Sequence, residues 1–267
     1  FGTEAARDLG AAGAAGDLFC DGSLGSHTAA LHEPYADRDD TTGMVRFDID
    51  DVVEHVVRCT RAGLQAGFHA IGDAAVDQVL TAVEQAVRRA GPPAVPHRIE
   101  HAEYVREPGR LAASGLVASL QPMFDAAWGG PTGMYARRLG AQRAGELNRF
   151  AALAAAGVPL AFGSDAPVTP LGPWAAVRAA VHPHDETAAL DPSTAFAAHT
   201  RGGWAAAGRA GGDLCLGATA TFAVWDAELE PASGLPVLAP GSELPRCLAT
   251  VRAGEPIFDS GVLGAPG

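Results

Sequence analysis

Lysine is absent: every one of the 19 basic residues in this 267-residue chain is arginine. A Schiff-base lysine or a carboxylated, metal-bridging lysine is therefore excluded within these residues. Cysteine is scarce, and Cys20, Cys59, Cys215 and Cys247 stand far apart. Without a Cys-x-x-Cys pair there is no sign of a zinc ribbon or a redox couple, and a reduced, cytoplasmic setting is expected. Positive charge is in deficit, with a net charge of -12. That speaks against nucleic acid or an anionic membrane surface as the main partner, since both reward basic patches. No apolar run approaches the roughly 20 residues that cross a bilayer, and no charged-then-apolar leader opens the chain. An initiating Met is also missing, and Phe1 leads straight into Ala/Gly-rich sequence, which predicts an entry partway through a longer protein.

At 48% hydrophobic, the chain has enough apolar sequence for one large domain, with or without a smaller appendage. Short apolar runs followed by helix-like sequence recur at about 17, 66, 97, 116 and 159. Asp17-Leu18-Phe19-Cys20-Asp21 places Asp17, Phe19 and Asp21 on one strand face, where buried acids are costly unless paired or bound to metal. Residues 33–42 are polar and read as an exposed loop. Val52, Val53, Val56, Val57 and Leu64 predict a helix over about 50–65 capped by Asp50, and Asp73 is the expected cap of the next. The Gly- and aromatic-rich stretch after Pro122, with Phe124, Trp128 and Tyr135, is long enough to lie over a pocket as a loop. Residues 174–181 and 194–207 read as helices, and 220–225 and 247–251 as strands of a small C-terminal unit.

Three of the apolar runs end in metal-capable side chains. His69 closes Gly67-Phe68-His69, His101 closes Arg98-Ile99-Glu100-His101, and Asp165 follows Phe162-Gly163-Ser164. A catalytic zinc takes about three such ligands and leaves a position for water, and a nearby carboxylate shuttles the water's proton. Glu100 and Glu103 are placed to orient His101 or to lie in solvent. His97-Arg98-Ile99-Glu100-His101 also matches the His-x-x-Glu-His pattern of inverted zinc proteases, which requires a helix. Pro92, Pro93 and Pro96 precede it and favour extended backbone; on a strand His97, Ile99 and His101 share a face, with Glu100 on the other.

Several blocks in order, Asp21-Gly22-Ser23-Leu24-Gly25-Ser26, His69-Ala70-Ile71-Gly72-Asp73, Arg98-Ile99-Glu100-His101, Gln121-Pro122 and Gly163-Ser164-Asp165-Ala166-Pro167, resemble the amidohydrolase superfamily. The likeness is to its amidohydrolase-3 branch, which includes N-substituted formamide deformylase-like enzymes, and it spans nearly the whole chain. It implies an α/β fold: a partial (β/α)8 TIM-type barrel, about strands 4 to 8, over residues 1–212, then part of a small β-sandwich over 213–267. By that likeness His69 and His101 are metal ligands after strands five and six, Asp165 is ligand and catalytic base after strand eight, and Gln121 binds substrate at the end of strand seven.

Two departures qualify the expectation. The first-strand His-x-His pair of the family is missing; His182-Pro183-His184 has the spacing but follows the eighth strand. Asp17 aligns with the lysine that bridges two metals in the family, and its short side chain favours one divalent metal, zinc, over two. The expected activity is metal-assisted hydrolysis of a non-peptide C–N bond in an amide-like small molecule. The alternatives are a non-catalytic fragment and, as a minor one, the His-x-x-Glu-His protease. Three missing strand–helix units are expected upstream, and an open barrel would expose strand edges suited to a homo-oligomer or another partner.

Overall fold

A computed structural model describes residues 2–264, with the backbone alone for residues 15–17. The chain begins with α1 (Thr3–Asp8), β1 (Gly13–Phe19), α2 (Ile49–Ala62), β2 (Gln65–Ala70) and α3 (Asp73–Ala90). It continues through β3 (Arg98–His101), α4 (Pro108–Ser114), β4 (Val117–Leu120), α5 (Pro122–Trp128), α6 (Met134–Leu139), α7 (Ala141–Ala144) and α8 (Phe150–Ala155). The last elements are β5 (Leu160–Phe162), α9 (Pro173–Val181), α10 (Pro192–His199), α11 (Arg201–Ala206), β6 (Phe222–Asp226), β7 (Arg246–Arg252) and β8 (Glu255–Asp259).

Strands β1 to β5 form one parallel sheet in sequence order. All five expected strands are present. Parallel neighbours must be joined by crossovers, and α2, α3 and α4 supply the first three. Register divides the sheet into two unlike faces. Phe68, Ile99 and Ala118 align on one face and are essentially fully buried in the main core with Val52, Val56, Val76 and Leu80 of α2 and α3. Gly67 aligns with Arg98, and His69 with Glu100 and Ser119, on the other face. The polar face is where chemistry can collect, because the apolar face is committed to the helices.

Local details differ from the sequence reading for identifiable reasons. The cap of α2 is Asp48, not Asp50, which lies in the first turn, and Gly63 ends the helix at φ 67°. The 33–42 segment is the exposed loop expected, except for Tyr35, which is buried with its hydroxyl donating to the Ala29 carbonyl at 2.8 Å. The segment after Pro122 is not a loop: Pro122 occupies the first turn of α5, and α6 follows. The helix expected over 194–207 is broken at Thr200 (φ -118°, ψ -88°) into α10 and α11. The C-terminal strands pair antiparallel in the order β6-β7-β8, and β8 is a strand the periodicity did not reveal, because all its residues are exposed. Trp225 of β6 meets Trp174 of α9 edge-on, 6.0 Å between ring centroids. Among the described residues no helix is long and apolar enough to cross a membrane.

Candidate active site at the strand ends

Asp21, just beyond β1, ties the strand ends together. Its carboxylate is fully buried and accepts the backbone N–H groups of Ala30 (2.9 Å), Ile71 (3.1 Å) and Gly72 (2.8 Å). Burial pushes its pKa up to about 6, opposed by those three N–H groups and by the nearby His69. The cost anticipated for an acid on this strand is thus met by backbone donors. Gly72 permits the approach: a Cβ there would stand 2.0 Å from the Ala30 carbonyl oxygen. Asp73 is the first residue of α3, with Gly72 as the cap; its carboxylate instead accepts the N–H of His32 at 3.1 Å and of Ala74 at 3.1 Å.

His69, near the end of β2, is buried and lies 2.8 Å through Nε2 from the Gly22 carbonyl. An oxygen acceptor there requires the proton on Nε2 and leaves the imidazole lone pair on Nδ1. The Phe19 ring lies 4.4 Å away and the His101 ring 4.5 Å away, the latter edge-on at 71°. His101 ends β3 at φ 71°. That left-handed turn departs from strand alternation: rather than staying with Ile99 on the helix-packed face, His101 borders the same cavity as His69. Its Nδ1 lies 2.9 Å from Gln121 Oε1, and the Gln121 amide donates to the Ser119 carbonyl at 3.3 Å. With the amide so oriented, His101 donates from Nδ1 and keeps its lone pair on Nε2.

Asp165 follows β5 at φ 53°, is exposed, and lines the cavity with both histidines. That cavity has a volume of about 650 Å³ and is walled largely by Leu24, Ile71, Phe124, Trp128 and Val168. Thus the structure brings His69, His101 and Asp165 to one space, with Gln121 beside His101. Asp17 lies outside the described residues as far as its side chain is concerned. Among the described residues, no three His, Cys, Asp or Glu side chains gather closely enough to hold a metal ion. Two convergent imidazoles whose other nitrogens are pinned by oxygen acceptors nevertheless have the chemistry of metal-binding histidines.

The remaining sequence candidates fall elsewhere. His97 precedes a strand, so the helix needed by His-x-x-Glu-His does not form. Its Nδ1 accepts the Ala66 N–H at 3.0 Å, and its Nε2 lies 2.9 Å from the Thr60 hydroxyl. Glu100 pairs with Arg98 rather than with His101. Glu103 does not orient His101 either, a role taken by Gln121; it is buried on the cavity wall. Burial raises Glu103 to about 7, partly opposed by Tyr135. Tyr135 is also buried, and its phenol pKa is raised first by burial and then by Glu103. Arg138 is a wall residue the sequence did not signal; it pairs with Asp37 and donates to the Gly25 carbonyl at 3.0 Å.

These features define an α/β protein whose candidate site sits at the C-terminal ends of parallel strands. The chain belongs to the amidohydrolase family, whose model matches residues 4–258. It is 36% identical over 169 residues to protein LONG AFTER FAR-RED 3 of Arabidopsis thaliana, covering 61% of this chain and 28% of that protein. It is 34% identical over 170 residues to the putative amidohydrolase YtcJ of Bacillus subtilis, covering 61% of this chain and 30% of that one. An uncharacterized metal-dependent hydrolase from Pyrococcus furiosus superposes with a TM-score of 0.66 at 32% identity, over 76% of this chain and 44% of its own. The A. niger ochratoxinase shares the fold at 18% identity, with a TM-score of 0.62, over 96% of this chain and 52% of its own. The chain therefore spans under a third of the length of these curated relatives.

Proposed function

We propose that this chain is the later part of a (β/α)8 barrel, about strands 4 to 8, followed by part of a small β domain. Its function in the whole protein is hydrolysis of a non-peptide C–N bond in an amide-like small molecule. The observation that carries the reading is the meeting of His69 and His101 at adjacent strand ends, 4.5 Å between rings, each pinned by an oxygen acceptor. The relatives are consistent with it: one is described as a putative amidohydrolase and another as a metal-dependent hydrolase.

In this reading His69 and His101 hold one divalent metal, zinc, through Nδ1 and Nε2 respectively, and Asp17 and Asp165 are further donors. When bound, such a metal acidifies water and polarises a carbonyl. Asp165 takes the proton of the attacking water and returns it to the nitrogen as the C–N bond breaks. Gln121 holds the His101 ring and borders the substrate. The apolar cavity wall excludes water from the reacting carbonyl and strengthens every charge interaction inside it.

A second reading, a non-catalytic fragment, draws on one observation: no three-donor group forms among the described residues. Metal analysis and amidase screening of this chain and of a longer chain carrying the upstream coding sequence separate the two. Stoichiometric metal that is lost in His69→Ala and His101→Ala, together with turnover, supports the hydrolase. Absence of both from the longer chain overturns it.

A further inference from the structure

The cavity beside His69 and His101 has a polar end that the proposed hydrolysis leaves unused. Its wall runs through Phe124, Trp128 and Tyr135, with successive ring centroids 4.6 Å and 6.3 Å apart. Glu103 lies among them, 4% exposed. Glu103 Oε2, the Tyr135 hydroxyl and Asn148 Nδ2 are buried and close no hydrogen bond among the described residues. The Tyr135 hydroxyl is the nearest donor to Glu103 and lowers its pKa as a hydrogen-bonding neighbour, but neither that contact nor the one to Asn148 closes to full hydrogen-bond geometry. The position of Glu103 is secured by its backbone, whose carbonyl accepts the Asn148 N–H at 2.9 Å.

A buried carboxyl oxygen whose nearest donor does not close a full hydrogen bond is costly, and a ligand that brings a well-placed donor recovers that cost. Aromatic rings line the same cavity, and the face of such a ring attracts cations. Arg138 lines the same cavity, but its two terminal nitrogens are held by Asp37 and the Gly25 carbonyl, which leaves only its buried Nε unpaired.

We propose that Glu103 is a specificity-determining residue and that the cavity takes a small molecule with an apolar, ring-sized body and a cationic amino group that pairs with Glu103. This rests on the reading above that the cavity is the substrate site. It narrows the substrate to an amide-like compound whose non-reacting part carries an amine. The general negative charge of the chain draws cations near, and Glu103 selects among them.

The test is a titration of the chain, without added metal, with benzylammonium and with benzyl alcohol, an uncharged analogue of similar size. Binding is followed by tryptophan fluorescence and by amide NMR shifts. Benzylammonium is expected to bind at least about tenfold more tightly, as charge-assisted hydrogen bonding requires. In Glu103→Gln the preference falls below about threefold, the range of a screened surface charge, while benzyl alcohol binding is unchanged. A preference below that range in the native chain, or a tenfold preference that survives Glu103→Gln, overturns the proposal. If Glu103→Gln does not fold, the native shift map decides: the largest benzylammonium shifts must fall around residues 101–104, 124–128 and 135, and a map centred elsewhere overturns it. Because no step depends on metal or turnover, failure of the hydrolase reading appears separately, as absent metal and activity.

Discussion

His101 Nδ1 lies 2.9 Å from Oε1 of Gln121, and the same glutamine amide donates to the Ser119 carbonyl. A side chain at the end of β4 therefore sets the tautomer and orientation of a histidine at the end of β3.

Replacing Gln121 by leucine is expected to weaken divalent metal binding by about 10–100-fold, the usual cost of losing an outer partner of a ligating histidine. Gln121→Glu, which keeps an acceptor at that place, should retain most of the affinity. Metal titration of the upstream-extended chain checks both; equal affinity in native and Gln121→Leu proteins would refute the role.

Under the proposed hydrolysis, Asp165→Asn in the longer chain is expected to lower turnover by at least about 10²-fold, the low end for loss of a proton shuttle. Circular dichroism should be unchanged, since Asp165 is exposed. Turnover within a factor of about two of the native rate would remove Asp165 from the mechanism.

Asp21→Ala leaves the buried N–H groups of Ala30, Ile71 and Gly72 without their acceptor. A loss of about 3 kcal/mol or more in unfolding free energy is expected. Gly72→Ala attacks the same junction sterically, with its Cβ 2.0 Å from the Ala30 oxygen, and should cost about 2 kcal/mol as overpacking. Urea unfolding measures each, and a change under about 0.5 kcal/mol, the scale of a neutral surface substitution, contradicts the assignment.

His97 is held at a pKa of about 4 by burial and then by the nearby His55, below the ordinary 6.5. The unfolded chain thus binds more protons than the folded chain between those values. Stability from this residue is full above pH 6.5 and is lost as pH falls toward 4. Between pH 7 and 5 the native chain should lose about 2 kcal/mol through His97. Asp21, whose pKa is raised, shifts stability in the opposite sense, so the comparison is with His97→Gln, in which the Asp21 contribution is common. A native-minus-variant difference independent of pH would show that His97 does not titrate in this way.

Much of the architecture was legible along the chain. Apolar runs ending at His69, His101 and Asp165 marked strand ends, because parallel strands buried against helices demand short apolar segments between amphipathic ones. The five strand positions were readable for that reason. β8 was not, since its Glu255, Pro256, Ile257, Phe258 and Asp259 are all exposed and leave no alternation. The break at Thr200 was hidden because Ala195, Ala197 and Ala198 before it and Ala205, Ala206 and Ala207 after it carry a helical pattern on both sides, although Gly202 and Gly203, poor helix formers, follow it closely.

By itself, the sequence determined which residue types stand at the strand ends, that lysine chemistry is excluded within these residues, and that the family is the amidohydrolase family. Those properties are local or cumulative and need no three-dimensional neighbour. Only the tertiary structure decided that His101 turns off its strand face to meet His69, that Gln121 rather than Glu100 or Glu103 holds it, and that Asp21 serves the backbone of three separate segments. It also decided that Glu103 is enclosed among aromatic rings. Each of these depends on groups distant along the chain arriving at one place, and on burial, which converts an ordinary carboxyl into a costly one that needs a partner.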